Sequence, residues 1–376
     1  MKRLLLFVTL VLALLAPAAG PSAAAPDIQV LKNEATANFA KNVMFSLEAK
    51  SSSRITEVNL FYHEALEIAV NRAYPTFTPG SQVSAEYSWD LLPGEVPVGA
   101  EVQYYWVLKD ANGQQFKTPP QTVAYDDTRF QWQKVGKSNV DLFYYGSNQA
   151  RAQKLLNAAV AALAHIKDQI GVSPNKTAKI YVYDSKDDMG PALVSRSQSY
   201  DEMTTTLGVL VSKDTLLLLG SAEGATQTIA HELTHLVVGQ ATQNPFQAPL
   251  PRWLDEGLAM YNEGSLPGYN KDALDEAIAT DTLISVRSLS AYTGDPNQVN
   301  LFYAESYSVI DYLLSQYGRD KMVALLNDFK AGAYQDDALQ KVYGFGLEGL
   351  DAKWRAWVGA PARQVAPTPE PNLDTA

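Results

Sequence analysis

The sequence predicts two domains, an N-terminal all-β sandwich and a C-terminal α+β domain that is mostly helical in its second half. Three observations predict this class. Apolar residues alternate with other residues repeatedly between positions 27 and 127, strands and helices mix from about residue 140, and helical spacing dominates after residue 219. The length of 376 residues is enough for two domains that each bury a core.

Residues 1–25 have the layout of a secretory signal peptide. Lys2 and Arg3 precede an apolar run at positions 4–15, and small residues follow as far as Ala25. The run has about 12 residues, whereas a helix that spans a bilayer needs about 20. We therefore expect an exported protein that is secreted or held at the cell envelope, and an uncleaved N-terminal anchor is the alternative.

The composition excludes several kinds of chemistry and partner. The chain has no cysteine, which excludes disulfides, thiolate zinc sites, cysteine nucleophiles and a lipid-modified N-terminal cysteine. An exported chain without cysteine is more typical of bacterial export than of the eukaryotic secretory route. The formal net charge of −11 argues against a nucleic-acid partner, because a phosphate-binding surface needs clustered positive charge.

Residues 26–130 are predicted to form the β-sandwich. The turn pairs Pro79-Gly80, Pro93-Gly94 and Asn112-Gly113 separate its alternating segments. About seven strands in about 100 residues resembles an immunoglobulin or fibronectin type III module, without the disulfide of antibody domains. In an exported protein such a module could contact the cell envelope. The clearest alternating segments are residues 43–49, 58–62, 83–89 and 102–108.

Residues 131–360 are predicted to form the second domain, and the proline-rich residues 361–376 a disordered tail. Periodicity predicts mixed elements first and helices afterwards. In order, these are a strand at 140–145, a helix at 149–169, a strand at 179–183, a β-hairpin at 207–219 and helices at 226–238, 252–261 and 301–317.

Two of the four histidines, His231 and His235, lie four residues apart in a segment with helical spacing. Residues at i and i+4 share one face of a helix, so both imidazoles are expected to point the same way. Two such imidazoles can chelate Zn²⁺ at about 2.0–2.1 Å. Glu232 follows His231 directly and is expected beside the ion, where it can accept a proton from a coordinated water.

A third ligand is predicted in the segment Trp253-Leu254-Asp255-Glu256-Gly257. A catalytic zinc takes three protein ligands and keeps one position open. Glu256, 21 residues after His235, is the candidate, on a helix of its own. The simpler interpretations are two histidines on a solvated helix face, or a site that keeps its ligands without activity.

These two segments together resemble the gluzincin metallopeptidases, and most closely the peptidase MA-like branch, in which a compact zincin-type domain often follows a β-sandwich. The resemblance covers about residues 140–358. It implies that His231, His235 and Glu256 are the zinc ligands and that Glu232 is the general base and later the general acid. Thermolysin-like members carry an aspartate four residues after the glutamate ligand, and here that position is Met260.

The resemblance also implies an oxyanion donor and a substrate-binding strand. In aminopeptidase-like members a tyrosine at the start of a comparable helix donates to the oxyanion; Tyr303 matches that place best, and Tyr307 is the alternative. Either arm of the 207–219 hairpin could pair with an extended substrate. The Gly-x-Met-Glu-Asn sequence that holds a free amine in aminopeptidases is absent, which favours an endopeptidase.

The sequence therefore predicts an exported zinc metallopeptidase that acts on a peptide or protein substrate. Two alternatives stay open. One is a non-catalytic, zinc-containing binding or scaffold protein of the cell surface, and the other is a zinc hydrolase of non-peptide amides or esters.

Overall fold

The computed structural model describes residues 27–194, 208–246 and 248–363. The predicted signal peptide at residues 1–25 and the predicted tail from residue 364 onward lie outside the described residues. No helix within these ranges is long and apolar enough to cross a bilayer.

The N-terminal region is a seven-stranded antiparallel sheet, here called the first sheet. The segments whose alternation predicted strands all lie within β2, β4 and β5. The strands are β1 (Ile28–Asn38), β2 (Asn42–Glu64), β3 (Asn71–Ala73), β4 (Gly80–Asp90), β5 (Ala100–Asp110), β6 (Gln115–Lys117) and β7 (Gln121–Tyr125).

The long strand β2 is shared by both halves of the first sheet. Its first half pairs with β1 and β4, and its second half pairs with β3 and β5. Phe45 and Tyr62 lie on this one strand, yet their ring centroids are 5.4 Å apart. An extended chain of that length would span about 55 Å, so β2 folds back on itself. The first sheet is a single curled sheet, and the two separate sheets of an immunoglobulin or fibronectin type III module are not confirmed.

A second, five-stranded sheet has the strand order β11-β12-β10-β9-β8. Strands β9, β10 and β12 are parallel, and the edge strands β8 and β11 run antiparallel to their neighbours. The predicted strands and hairpin are confirmed here, whereas β8 had no alternation to predict it. The strands are β8 (Gln133–Lys137), β9 (Val140–Tyr144), β10 (Ala178–Tyr183), β11 (Gly208–Leu210) and β12 (Thr215–Leu219).

The rest of the described chain after residue 219 is helical and irregular, as predicted. In the whole described chain, short 3₁₀ turns lie at Gly190–Ala192, Ser288–Ser290 and Pro296–Gln298, and two helices come before residue 219. The helices are α1 (Gln149–Gln169), α2 (Lys186–Met189), α3 (Ala225–Thr242), α4 (Arg252–Asn262), α5 (Gly268–Thr280), α6 (Val299–Tyr317), α7 (Arg319–Lys330), α8 (Gln335–Tyr343) and α9 (Leu347–Trp357).

The second sheet lies between the helices and the first sheet. Along β10, Ile180 and Val182 pack into the helical core, while Tyr181 and Tyr183 pack into the core of the first sheet. This follows from the alternation of side chains along a strand. The Tyr183 hydroxyl also donates to Asp127 Oδ2 at 3.0 Å. The two regions are therefore joined by buried contacts, and the domain boundary at residues 130/131 stays a prediction.

Two glycines allow the close approaches that build the site. A Cβ on Gly257 of α4 would lie 2.4 Å from the backbone oxygen of Ser306 on α6, so these two helices touch backbone to backbone. A Cβ on Gly208 of β11 would lie 2.5 Å from Thr228 Cγ2 and 3.2 Å from Glu232 Cγ. The edge strand β11 consequently lies directly against α3 beside Glu232.

Candidate metal centre

His231 and His235 lie on one face of α3 because the opposite face is buried. Ile229, Leu233 and Leu236 are packed into the helical core. The two imidazoles lie one turn apart, with 3.1 Å between their Nε2 atoms. The predicted shared face of the histidines is thus present.

Glu256 enters from α4 and is 3% exposed. Its Oε2 lies 3.5 Å from Nε2 of His231 and 3.5 Å from Nε2 of His235. Tetrahedral Zn²⁺ with bonds of about 2.0–2.1 Å places neighbouring ligand atoms about 3.3–3.4 Å apart. The three donor atoms therefore have the spacing of one face of a zinc tetrahedron.

The Glu256 oxygen supports a metal ion in a second way. Its Oε2 is buried and has no hydrogen-bond partner among the described residues. A buried polar atom normally has a partner, because leaving it unsatisfied costs about 1–3 kcal/mol. Two imidazole nitrogens and one carboxylate oxygen also match the ligand types of Zn²⁺. The residues present therefore fit a metal ion that these three side chains would hold; below, the three are called the metal centre.

Two further carboxylates hold the histidine rings. His231 Nδ1 lies 2.5 Å from Glu263 Oε1, and His235 Nδ1 lies 2.9 Å from Asp255 Oδ1. Each contact leaves Nε2 directed at the centre, which is how a carboxylate orients a metal-binding histidine. Glu263 comes seven residues, or two turns, after Glu256 and directly follows the last residue of α4.

Tyr292 contacts the third ligand directly. Its hydroxyl donates to Glu256 Oε1 at 2.5 Å, which leaves Oε2 facing the histidines. The Arg252 guanidinium lies 4.6 Å from the centroid of the Tyr292 ring and 3.2 Å from Asp255 Oδ2. Arg252 thus connects the carboxylate behind His235 with the tyrosine behind Glu256.

The electrostatics of the centre are those of a carboxylate-rich site. Burial opposes protonation of His231, but the nearby carboxylates of Glu256 and Glu263 outweigh it and raise its pKa to about 9. Burial likewise opposes ionisation of Glu256, yet the two histidines and Tyr292 hold the pKa of this carboxyl well below its usual range. The surrounding negative charge stabilises positive charge at the centre.

Sequence reasoning did not find Asp255, Glu263 or Tyr292. Asp255 is adjacent to Glu256 in the sequence, and Glu263 follows Glu256 by two helical turns. The sequence therefore contained a weak indication that both lie near the metal centre. Tyr292 carried none, because it lies in a loop 36 residues after Glu256 and is one of 20 tyrosines.

The two predicted oxyanion tyrosines occupy different environments. Tyr307 lies against Tyr261, with ring centroids 5.9 Å apart, on another side of α4 from Glu256. Tyr303 packs beside Phe302 and is close enough to Tyr292 to raise the pKa of that phenol, after the larger effects of burial and Glu256. Of the two tyrosines, Tyr303 is therefore the one that lies near a residue of the metal centre's surroundings. Its role as a hydrogen-bond donor to the oxyanion stays a prediction.

Residues 158–360, more than half of the chain, match the Peptidase MA superfamily. The protein belongs to this superfamily. The expectation from the His-Glu-Leu-Thr-His segment is thereby confirmed, and the chain is a member of a peptidase superfamily. No curated protein matches it in sequence.

Several solved structures share a limited likeness. OgpA from Akkermansia muciniphila is 12% identical over 28% of this chain and 30% of its own, with a TM-score of 0.21. BhCBM56 is 13% identical over 26% of this chain and 92% of its own, with a TM-score of 0.20. The sensor domain of the anti-sigma factor RsgI4 in Pseudobacteroides cellulosolvens is 18% identical over 30% and 97%, with a TM-score of 0.18. This chain spans less than a third of OgpA, and the three likenesses carry no argument about its fold or function.

Proposed function

We propose that this protein is an exported zinc-dependent metallopeptidase that cleaves internal peptide bonds. The observation that carries the proposal is the triangle of donor atoms formed by His231, His235 and Glu256, with edges of 3.1, 3.5 and 3.5 Å. Membership of the superfamily supports hydrolysis of peptide bonds as the reaction. The triangle of donor atoms supports these three residues as the site where the reaction would occur.

Zn²⁺ held by these three residues would supply a Lewis acid that polarises the scissile carbonyl and makes a water acidic. The chain's own residues then move the protons. The Glu232 carboxylate takes a proton from the attacking water and delivers it to the leaving nitrogen as the C–N bond breaks. Tyr303 donates a hydrogen bond to the oxyanion that forms at the carbonyl oxygen.

The edge strand β11 offers the substrate a place to bind. It is the outermost strand of the second sheet and lies against α3 beside Glu232. An extended peptide could add to this edge as a further strand, held by main-chain hydrogen bonds. Because the sequence lacks the amine-binding segment of aminopeptidases, we infer cleavage within chains rather than from the N-terminus.

Location and the role of the first sheet belong to the same proposal. Residues 1–25 have the features of a secretory signal peptide, which supports secretion or residence at the cell envelope, and the absence of cysteine supports bacterial export. In that location the first sheet could contact envelope material. The scaffold and non-peptide alternatives are not favoured, since the superfamily is one of peptidases.

The experiment compares wild type with Glu232→Gln on a library of proteome-derived peptides, after loading both with zinc. The Gln side chain keeps the size of Glu but cannot accept the proton, so we expect zinc to stay bound while turnover falls at least about 100-fold. Glu276→Gln, which changes an exposed glutamate on α5, is the matched control and should cleave normally. Equal turnover by Glu232→Gln would refute the assigned base, and products shortened only at the N-terminus would refute endopeptidase action.

A further inference from the structure

Residues 281–292, here called the tyrosine loop, follow α5 and bring Tyr292 to the metal centre. At one end of the loop, the Tyr292 hydroxyl donates to Glu256 Oε1. At the other end, the loop backbone is bonded to Asp351 on α9 and to Arg363, the last residue that the structure describes. The tyrosine loop therefore connects the third ligand of the metal centre with the C-terminal end of the described chain.

Asp351 and Arg363 together hold two backbone groups of the tyrosine loop. Asp351 is 5% exposed, and its Oδ1 accepts from the Val286 N–H at 3.0 Å. The Arg363 guanidinium reaches both oxygens of Asp351, at 3.1 and 3.3 Å, and also donates to the Leu283 carbonyl at 3.3 Å. Such a two-pronged contact between guanidinium and carboxylate fixes the direction of both groups. One ion pair thus satisfies a donor and an acceptor of the loop backbone.

Two further side chains secure the start of the tyrosine loop. Arg355 is 1% exposed; it donates to Asp281 and, at 2.8 Å, to the backbone oxygen of Pro361. Glu305 accepts from the Ile284 N–H at 2.9 Å, and the amide oxygen of Glu305→Gln would keep that bond. The residues that follow α9 are therefore bonded to the loop at more than one point.

The segment between the bonded backbone and the tyrosine is short and compact. Five residues separate Val286 from Tyr292, and three of them form the 3₁₀ turn Ser288–Ser290. Leu289, in the middle of this turn, is 0% exposed, and its N–H donates to the Ser285 carbonyl at 3.0 Å. Because a buried, internally bonded turn has little conformational freedom, a shift of the loop backbone at Val286 also moves Tyr292.

We propose that Asp351 and Arg363 are positioning residues of the metal centre, which hold the tyrosine loop so that Tyr292 turns the free oxygen of Glu256 toward the two histidines. The inference rests on the metal centre of the proposed function and deepens it. The bonds given above join the ion pair to the loop backbone, so its effect on the ligand passes through Tyr292.

The competing explanation is that the ion pair only stabilises the fold. In that case its loss would lower the thermal unfolding temperature, and any effect on zinc affinity would be the same whether or not the Tyr292 hydroxyl is present. An ion pair that acts through Tyr292 gives a different result, because its loss no longer matters once the hydroxyl is gone. A double-mutant cycle distinguishes the two explanations.

The test measures zinc affinity by chelator competition, and thermal unfolding, for wild type, Arg363→Ala, Tyr292→Phe and the double variant. The Arg363 side chain is 34% exposed, so we expect Arg363→Ala to fold. It should lower zinc affinity by about 3-fold in wild type and hardly at all in Tyr292→Phe. Arg363→Lys keeps the charge but loses the planar fork, so it should show part of the same loss and replaces Arg363→Ala if that variant does not fold.

Lys341→Ala is the matched control. Lys341 is an exposed cation of α8 that pairs with the half-buried Asp328 of α7, and neither residue belongs to the tyrosine loop. The control should leave zinc affinity unchanged, with and without the Tyr292 hydroxyl.

A second readout follows the tyrosine loop itself. Trypsin cleaves after arginine, and Arg287 lies in the loop with a side chain that is 55% exposed. When the zinc-loaded protein is digested briefly, Arg363→Ala should raise cleavage after Arg287 by at least about 3-fold relative to cleavage at other sites, because the loop opens more often. Lys341→Ala should not change this ratio.

The outcomes separate this inference from the proposed function. Unchanged zinc affinity in Arg363→Ala, an equal loss with and without the Tyr292 hydroxyl, or unchanged relative cleavage after Arg287 would overturn the positioning role and leave the metallopeptidase intact. If wild type binds no zinc, the proposed function fails, and the positioning role fails with it.

Discussion

Two buried glutamates on adjacent helices, Glu256 on α4 and Glu305 on α6, show what separates a metal ligand from a structural carboxylate. They are 3% and 0% exposed, and each has one oxygen without a hydrogen-bond partner among the described residues. Their pKa values nevertheless move in opposite directions. Two histidines and a tyrosine hold that of Glu256 well below its usual range, whereas burial raises the pKa of Glu305 to about 8.

The difference lies in the neighbours. Glu256 faces two imidazoles that carboxylates orient from behind, so a cation is stabilised at its free oxygen. Glu305 accepts a hydrogen bond from the Ile284 N–H at 2.9 Å and has Arg363 and Asp351 nearby, but no imidazole is among the neighbours that shift its pKa. An unpartnered buried carboxylate alone does not make a metal site; convergent neutral donors are also required. The predictions below follow this comparison, ordered by their expected effect on zinc affinity.

The largest effect is expected from Glu256→Gln. The amide keeps the volume of the side chain but removes the negative charge of the donor atom. Zinc affinity should therefore fall more than about 100-fold, which exceeds the loss of about 10–100-fold typical for residues that hydrogen-bond to the metal ligands. Competition with a chelator of known affinity measures this. An affinity equal to wild type would show that Glu256 is not a ligand.

The next effect is expected from Glu263→Gln and Asp255→Asn. Each removes the negative charge that orients one histidine, which typically lowers metal affinity by about 10–100-fold. The same competition assay applies, with Glu276→Gln as the exposed control. If neither variant weakens zinc binding, the contacts at 2.5 and 2.9 Å do not orient the ligands.

A smaller effect is expected from Tyr292→Phe. The change removes one hydrogen bond to an ionised carboxylate and keeps the ring beside Arg252. At the lower end of its usual range, such a bond contributes about 1.5 kcal/mol, so zinc affinity should fall by about 10-fold. Because Tyr292 acts through Glu256, Tyr292→Phe combined with Glu256→Gln should be hardly worse than Glu256→Gln alone. Additive losses in the double variant would argue against this coupling.

Glu305→Gln should leave zinc affinity unchanged and alter stability instead. The pKa of Glu305 is higher in the folded state, about 8, than its usual value of 4.5. Between these values the folded state binds more protons, so this group makes stability fall as pH rises from about 5 to 8. Thermal unfolding across that range should show a shallower decline for Glu305→Gln than for wild type. Identical pH profiles would contradict the assigned burial cost.

Some of this molecule could be predicted from its sequence because the signals are local. Helical spacing around His231 and His235 gave α3, and the Trp-Leu-Asp-Glu-Gly segment gave α4 with Glu256. Gly257 needed the structure, since only the contact with Ser306 shows why a side chain is excluded there.

Other features depend on contacts between distant segments. The run Ser51-Ser52-Ser53 is typical of a turn between two strands. In the structure β2 continues through this run, with a shift in its pairing register to β4. For this reason the region forms one curled sheet and not the two sheets of the predicted sandwich. The pairing of Glu263 with His231 depends on how α4 lies across α3. The contact of Tyr292 with Glu256 depends on how the loop that carries Tyr292 is positioned against α4. The spacing of apolar residues in the sequence does not predict that position.

The most direct test of the central claim is the zinc K-edge X-ray absorption spectrum of the zinc-loaded wild type. The spacing of the three donor atoms predicts a four-coordinate shell with two imidazoles and oxygen ligands at about 2.0–2.1 Å. A six-coordinate shell made of oxygen alone, without imidazole scattering, would contradict the proposed metal centre.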